Sequence, residues 1–552
     1  MKPQPISLPA QSPSALRFVM AVATSFGLTF GSSAETIELI SINSDGSAPG
    51  NGESIEGSIS EDQRFVAFTS TATDLVSGIE MIGEQNVYVR DRLEQTTQLV
   101  SVAEDGLSSG NGSSSLPSLS ANGRFVSFSS TATNLVAETD DNGVADVFVR
   151  DLQLNTTTLV STRLQGGFAD GESLRSAISG DGTRIAFDTT ATNILASPLE
   201  SGSNIYLRDF ASGSTSLVSD LVPTTEETSS HPSISNDGNL VSFNADVDAF
   251  NAPSAIYARR IDEQENIVVS IGPTGLPAFS ERRSFTSGDG RFVSYTSSSI
   301  NLLPEQVPLN SVLGDVFIRD LARLENRLVS VNMNGEGASG FADGSSLSND
   351  GRFVAFISDA DDLVEGDTPF TAELFIRDMV LETTERFAPT PGVLRPTAIT
   401  QNGQNVLFVS EDATLANLDT NQAADVFVVE REFTGPIFAA TLPSSRSVQV
   451  GQTATAFATI INAGDIDATN CQLSPNTQLP VDFFFQTTDP ANALVGDPNT
   501  PVDIPAGAAQ NFIFGLTPTA PITTTQFFLD YACANSPTAL RVQGLNLSLI
   551  HI

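Results

Sequence analysis

One phrase, S-x-[DN]-G-R-F-V-[AS]-F, recurs seven times, and few folds can accommodate a chain written that way. The copies are Ser60–Phe68, Ser120–Phe128, Ser179–Phe187, Ser235–Phe243, Ser287–Tyr295, Ser348–Phe356 and a degraded Thr400–Phe408. Their Asp or Asn stands at 62, 122, 181, 237, 289, 350 and 402, in steps of 52 to 61 residues. A second phrase, [VIL]-[YF]-[VIL]-R-D, follows each: Val87–Asp91, Val147–Asp151, Ile205–Asp209, Val316–Asp320 and Leu374–Asp378 are clear copies. Arg260 replaces the Asp in the fourth copy, and the seventh reads Val426–Glu430. A third phrase, T-T-x-L-V-S, appears as Thr96–Ser101 and Thr156–Ser161.

Each unit therefore offers four short strands: the run into S-x-D-G, then R-F-V-A-F, then V-F-V-R-D, then T-L-V-S. Alternating β-branched and aromatic residues support strands, and D-G between the first two supplies the positive φ of a tight turn. Four strands at a period above 40 residues are what a β-propeller blade requires. The seventh copy lacks its third phrase, which stands instead at Thr36–Ser41, followed by Asp45-Gly46 and Gly50-Asn51-Gly52 as in Asp105-Gly106 and Gly110-Asn111-Gly112. An all-β fold is predicted: a seven-bladed β-propeller over 35–434, its last blade completed by the N-terminal strand so that no sheet edge stays open.

The phrases S-x-D-G-R-F-V-A-F and D-V-F-V-R-D resemble the TolB-like, WD-repeat-like β-propeller family of exported bacterial proteins, over about 400 residues. The resemblance implies the propeller fold. It implies little about activity, because such propellers serve as scaffolds, binding modules and enzyme appendages. TolB itself has six blades and an N-terminal α/β domain, so no role in the Tol–Pal envelope system is carried over.

Beyond about Gly435 the repeat stops. Residues 435–546 hold short alternating runs such as Ala454–Ile460, Val481–Phe485, Asn511–Phe514 and Gln526–Tyr531, which predict an Ig-like β-sandwich. Both cysteines lie here, Cys471 and Cys533. They read either as one disulfide, closing a loop whose removal from the unfolded state is worth roughly 4 kcal/mol, or as two buried thiols. Leu547–Ile552 reads as translated sequencing-adapter sequence, with a native terminal strand as the alternative.

Residues 1–34 contain Lys2 and Arg17, no acid, an apolar run from Phe18 and a small-residue end at Ser32-Ser33-Ala34. That is the pattern of a secretory signal peptide cleaved after Ala34. The remainder carries 24 cations, all Arg, against 65 acids, a net of −41. Such a chain repels nucleic acid. No later apolar run is long enough for a membrane helix. An exported location is expected: periplasmic, cell-surface or secreted.

Candidate chemistry is sparse. Asp140, Asn142 and Asp146, and again Asp419, Asn421 and Asp425, form D-x-N-x-x-x-D loops whose hard oxygens suit Ca²⁺; the alternative is turn carboxylates that cap their own backbone. No other cofactor is expected. His231 aligns with Leu116 of the repeat and reads as a structural substitution. Gly106–Gly110 matches G-x-S-x-G but lies in an inter-blade loop with no His base, so it reads as chance. The repeated arginines (64, 124, 291, 352 and 90, 150, 208, 259, 319, 377) sit near an Asp in each phrase and read as intra-blade ion pairs. No catalytic residue stands out. The expected function is non-enzymatic: an interaction protein presenting loops 77–85, 137–145 and 302–314 to a protein or surface glycan. A propeller hydrolase or polysaccharide lyase is one alternative, and a fragment of a longer surface or adhesion protein is another.

Overall fold

A computed structural model describes residues 36–551 except for 198–201, 221–227, 247–253, 388–392, 432–436, 537–546 and shorter stretches. The signal-peptide reading lies outside the described residues. The described chain is all strand and turn. Among the described residues no helix is long and apolar enough to cross a membrane.

Among the described residues the repeat builds seven four-stranded antiparallel sheets, six of them with their strands in chain order. In the first sheet the strands are Ser54–Ile59, Phe65–Ser70, Asn86–Asp91 and Thr96–Leu99. The last sheet differs in origin. Its strands Val393–Ile399, Asn405–Ser410 and Asp425–Glu430 take their fourth partner from the other end of the chain, Thr36–Leu39, in the register Leu39↔Phe427. Ser41 Oγ donates to Asp425 Oδ1 at 2.6 Å, and the Ile40 amide donates to the Val426 carbonyl at 2.8 Å. The first strands of successive sheets lie side by side, and Val393–Ile399 lies against Ser54–Ile59. Hydrogen bonds tie neighbouring sheets, as from the Leu119 amide to Ser58 Oγ and from the Ile399 amide to Ser346 Oγ.

The recurrence of S-x-D-G-R-F follows from its contacts. Ser120 Oγ donates to Asn122 Oδ1 and accepts from the Phe125 amide, while Asn122 Oδ1 accepts from the Arg124 amide. The same three bonds recur at Ser60–Phe65, Ser287–Phe292 and Ser348–Phe353. They satisfy a turn that would otherwise leave backbone donors unpaired. Gly123 has φ +68°, and a Cβ there would lie 2.5 Å from the Phe65 ring of the preceding sheet. The Gly thus serves the turn and the sheet-to-sheet contact together. Gly123→Ala is expected to cost about 1–3 kcal/mol from positive φ, before any displacement of Phe65. Urea denaturation checks this, and a loss below that range would show that the turn relaxes.

The first copy of the phrase has Gln63 where the others have Gly, at φ +65°. Its neighbour is the last sheet, where Asn405 stands in the Phe position, and Asn405 Nδ2 donates to Gln63 Oε1 at 2.7 Å. A hydrogen bond therefore replaces the Gly-on-Phe contact where the last sheet meets the first.

Inside the sheets, one aromatic pair joins second and third strands in every case, from Phe68–Tyr88 at 5.8 Å to Phe408–Phe427 at 5.6 Å between centroids. These pairs add offset stacking to the apolar burial. Arginines of the S-x-D-G-R set pair with the Asp of V-x-V-R-D, as in Arg124–Asp151 (2.6 Å) and Arg352–Asp378 (2.7 Å). The second arginine set does otherwise. Arg90, Arg150, Arg208 and Arg377 donate through Nη1 to Thr97, Thr157, Thr215 and Thr384 of the fourth strand, and Arg319 donates to Asn326. The ion-pair expectation therefore holds for the first set and is corrected for the second, whose Asp neighbours point to the other arginine.

Residues 437–551 form two further sheets, Ile437–Leu442, Ala454–Asn462, Ala509–Pro518 and Val481–Thr488 in one, and a five-stranded sheet in the other. They share one apolar cluster that includes Ile460, Phe485, Phe512, Phe514, Leu529 and Tyr531. Cys471 and Cys533 are joined as a disulfide inside it, both fully buried. They lie on adjacent strands of one sheet, beside the pair Gln472↔Ala532, and not across the two sheets. Leu547–His551 forms a strand pairing with Thr525–Phe528 and with Ser445–Ser447.

Candidate functional site

The first strand of six sheets carries a register shift, the mark of a β-bulge. Reading the repeat at that position gives one residue per unit: Glu56, Leu116, Arg175, His231, Arg283, Gly344 and Pro396. Glu56, Leu116, His231 and Gly344 hold φ between +57° and +64° there. This is the column in which the repeat fails to repeat. Its members from Glu56 to Arg283 line a cavity of about 280 Å³, together with the recurring serines 58, 118, 233 and 346.

Three consecutive units place Arg175, His231 and Arg283 on the wall of that cavity. Buried carboxylates hold the bulges in place. Asp188 accepts the Arg175 amide at 2.8 Å and the His231 amide at 3.3 Å, and pairs with Arg175 Nη1 at 3.3 Å. Across the cavity wall, Glu56 Oε2 accepts the Leu116 amide at 2.9 Å and the Thr69 hydroxyl. Arg175 Nε is buried and receives no acceptor. His231 Nδ1 lies 2.9 Å from Ser230 Oγ. Burial, reinforced by Arg175 and Arg283, pushes the His231 pKa down to about 3, so the imidazole is neutral at physiological pH. A base that weak takes no proton from a hydroxyl near neutrality, and the arrangement is suited to holding charge in place rather than to moving protons.

The acidic loops come out differently from each other. In the second sheet, Asn142 Nδ2 donates to Asp146 Oδ2 and Ser161 Oγ to Asp146 Oδ1, both at 2.8 Å, while Asp140 accepts the Asn142 amide. That loop closes on itself. In the last sheet, Asn421 Oδ1 accepts the Ala423 amide and its Nδ2 donates to the Gly50 carbonyl at 3.1 Å. Asp419 and Asp425 are buried beside it. Burial raises the pKa of both Asp146 and Asp425 to about 6. Among the described residues no three His, Cys, Asp or Glu side chains converge as a metal cluster. Gly106–Gly110 lies in a turn between strands, with Ser108 bridged to Glu80, and not at a strand-to-helix elbow. Loop 77–85 is described and largely exposed, whereas 304–306 and 310–313 of loop 302–314 lie outside the described residues.

Compared with Leu116 alone, His231 reads as a structural substitution, and the cavity column is not visible from that pair. Aligning all seven units at that position shows three basic residues in succession in a chain of net charge −39.

Comparison with known proteins matches no family model and no curated protein. Solved structures with similar coordinates include TolB from Acinetobacter baumannii, at 14% identity, covering 53% of this chain and 63% of that one with a TM-score of 0.31. TolB from Agrobacterium tumefaciens is similar at 16% identity, 53% and 84% coverage, TM-score 0.32. A prolyl endopeptidase structure is similar at 13% identity, 78% and 57% coverage, TM-score 0.44. The chain thus spans under two thirds of the first and third of these. The neighbours are TolB and peptidase propellers. The chain is a β-propeller protein. Likenesses this distant carry nothing about activity, and the argument for the propeller rests on its own repeated sheets and their register.

Proposed function

We propose that this chain is an exported binding protein: a closed ring of seven blades, followed by an Ig-like sandwich, that seats an acidic group of its partner at the ring's central cavity. The observation that carries this reading is the succession Arg175, His231, Arg283 at one variable, cavity-lining position of the repeat. Structural side chains recur in every blade, whereas a ligand site is made once. A cavity of about 280 Å³ is at the small end for ligand pockets, so it takes the end of a ligand rather than a whole one. Guanidinium groups recognise planar anions through paired hydrogen bonds, which suits a carboxylate: the C-terminus of a protein or an acidic sugar at a glycan end. Export is supported by the N-terminal pattern of residues 1–34 and by the cysteine pair. The weakly basic His231 supports binding over turnover.

Calorimetric titration of the full chain with short peptides bearing free or amidated C-termini, and with uronic-acid oligosaccharides, tests the proposal. Binding is expected only for ligands with a free carboxylate, weakened at least tenfold in Arg175→Gln and Arg283→Gln. Equal affinity for amidated and free ends, or binding indifferent to both substitutions, would sink it.

A further inference from the structure

Three sheets carry an acid six residues before the first acid of the third strand: Asp140 and Asp146, Asp367 and Glu373, Asp419 and Asp425. The structure hydrogen-bonds one of these pairs, gives another a cation, and supplies neither in full to the third. Asp146 is fully hydrogen-bonded by Asn142 and Ser161. Between Asp367 and Glu373 the chain inserts its own cation, Arg386, whose Nη1 lies 3.6 Å from each. Arg386 occupies the register position opposite Phe375. In the last sheet the position opposite Phe427 is Leu39, which brings no charge.

Asp419 is 7% exposed and neither of its carboxylate oxygens has a hydrogen bond of good geometry, the Asn421 amide being the donor that approaches it. Asp425 is wholly buried; Oδ1 accepts Ser41 Oγ, and Oδ2 has no hydrogen bond of good geometry, with the Asn421 side chain beside it. Among the described residues neither acid forms an ion pair. Three buried carboxylate oxygens without a well-formed hydrogen bond, on two acids that repel each other, are a costly arrangement unless something positive sits between them.

We propose that Asp419 and Asp425 bind a divalent cation, with Ca²⁺ the best chemical fit, at the seam where the N-terminal strand joins the last sheet. Hard carboxylate oxygens in an irregular loop suit Ca²⁺, which accepts six to eight oxygen ligands and fills its shell with water and backbone carbonyls. The ion does for this pair what Arg386 does for Asp367 and Glu373. Because Asp425 also holds Ser41, the ion would brace the join between the two ends of the ring. The site is independent of the central cavity.

The test uses the purified full chain, stripped with chelator. Calorimetric titration with CaCl₂ is expected to show one ion per chain, and excess Ca²⁺ is expected to raise Tm by several degrees over chelator. Asp419→Asn should abolish both effects, and should itself raise the Tm of the stripped protein at pH 7.5 by removing an unpaired charge. Asp140→Asn, in the self-satisfied loop, should leave the response unchanged. Absence of calcium heat and of any Tm shift in the unsubstituted chain overturns the proposal. So does a response that survives Asp419→Asn. If Asp419→Asn does not fold, Asp425→Asn, which keeps an acceptor for Ser41, reads the same response.

Discussion

Arg352→Ala is expected to lower stability by about 3–5 kcal/mol, the cost of stripping a buried ion pair of one partner. Arg352 belongs to the same repeat phrase as Arg124, yet its surroundings are different. The Arg124 side chain is 34% exposed, and that of Arg352 is 1% exposed over Asp378 at 4%. Arg352 Nη1 donates to the Ser536 carbonyl at 2.7 Å and Nη2 to the Cys533 carbonyl at 2.8 Å, beyond its pairing with Asp378. One side chain of the sixth sheet thus satisfies backbone of the C-terminal sheets. Removing it leaves Asp378 with only the Val380 and Leu381 amides at Oδ1, and takes a donor from two carbonyls together. Arg124→Ala, losing a solvent-screened pair, should cost clearly less. Urea denaturation of the two variants decides the matter, and equal midpoints would show that the C-terminal contact contributes nothing. Arg352→Met with Asp378→Leu sharpens the test. An apolar replacement of the pair alone can be neutral, so incomplete recovery reports the two carbonyls.

That difference between two identical phrases shows where sequence reading stops. The sheets were legible because the local rules agree in most copies: Ser–Asx turn bonds, a positive-φ Gly, alternating apolar residues. The pairing of Thr36–Leu39 with Asp425–Glu430 was legible too, since a phrase missing at one end stood at the other. What the phrases could not convey is what each copy meets from outside itself. Gln63 looks like decay of the repeat until Asn405 is seen opposite it. Arg90 and its counterparts sit next to an Asp in sequence but reach across the sheet to Thr97 and its counterparts, because neighbours along a strand point to opposite faces. The acidic loops read alike in sequence. Only the structure separates the closed loop at Asp146 from the open one at Asp425, and only a seven-way alignment sets His231 beside Arg175 and Arg283.

The second large effect concerns the cysteines. Replacing both Cys471 and Cys533 by Ala is expected to cost about 4 kcal/mol, from a cross-link spanning 62 residues of sequence. Both residues are fully buried, so reductant should leave the folded protein intact at 25 °C and act only as the C-terminal sheets open. Thiol labelling in denaturant without reductant should find no free thiol per chain; two would show the cysteines unlinked. The cross-link and Arg352 act on the same stretch of backbone, since Cys533 carries the disulfide on its side chain and accepts from Arg352 at its carbonyl. Their losses should therefore be less than additive. Once Cys533 is no longer fixed to Cys471, the segment through Ser536 is held only from one side, and Arg352 has a looser partner to lose. A triple variant as unstable as the sum of its parts would mean that the arginine and the disulfide stabilise separate regions. Sub-additivity would place the joint between the repeated sheets and the C-terminal sheets at Cys533–Ser536.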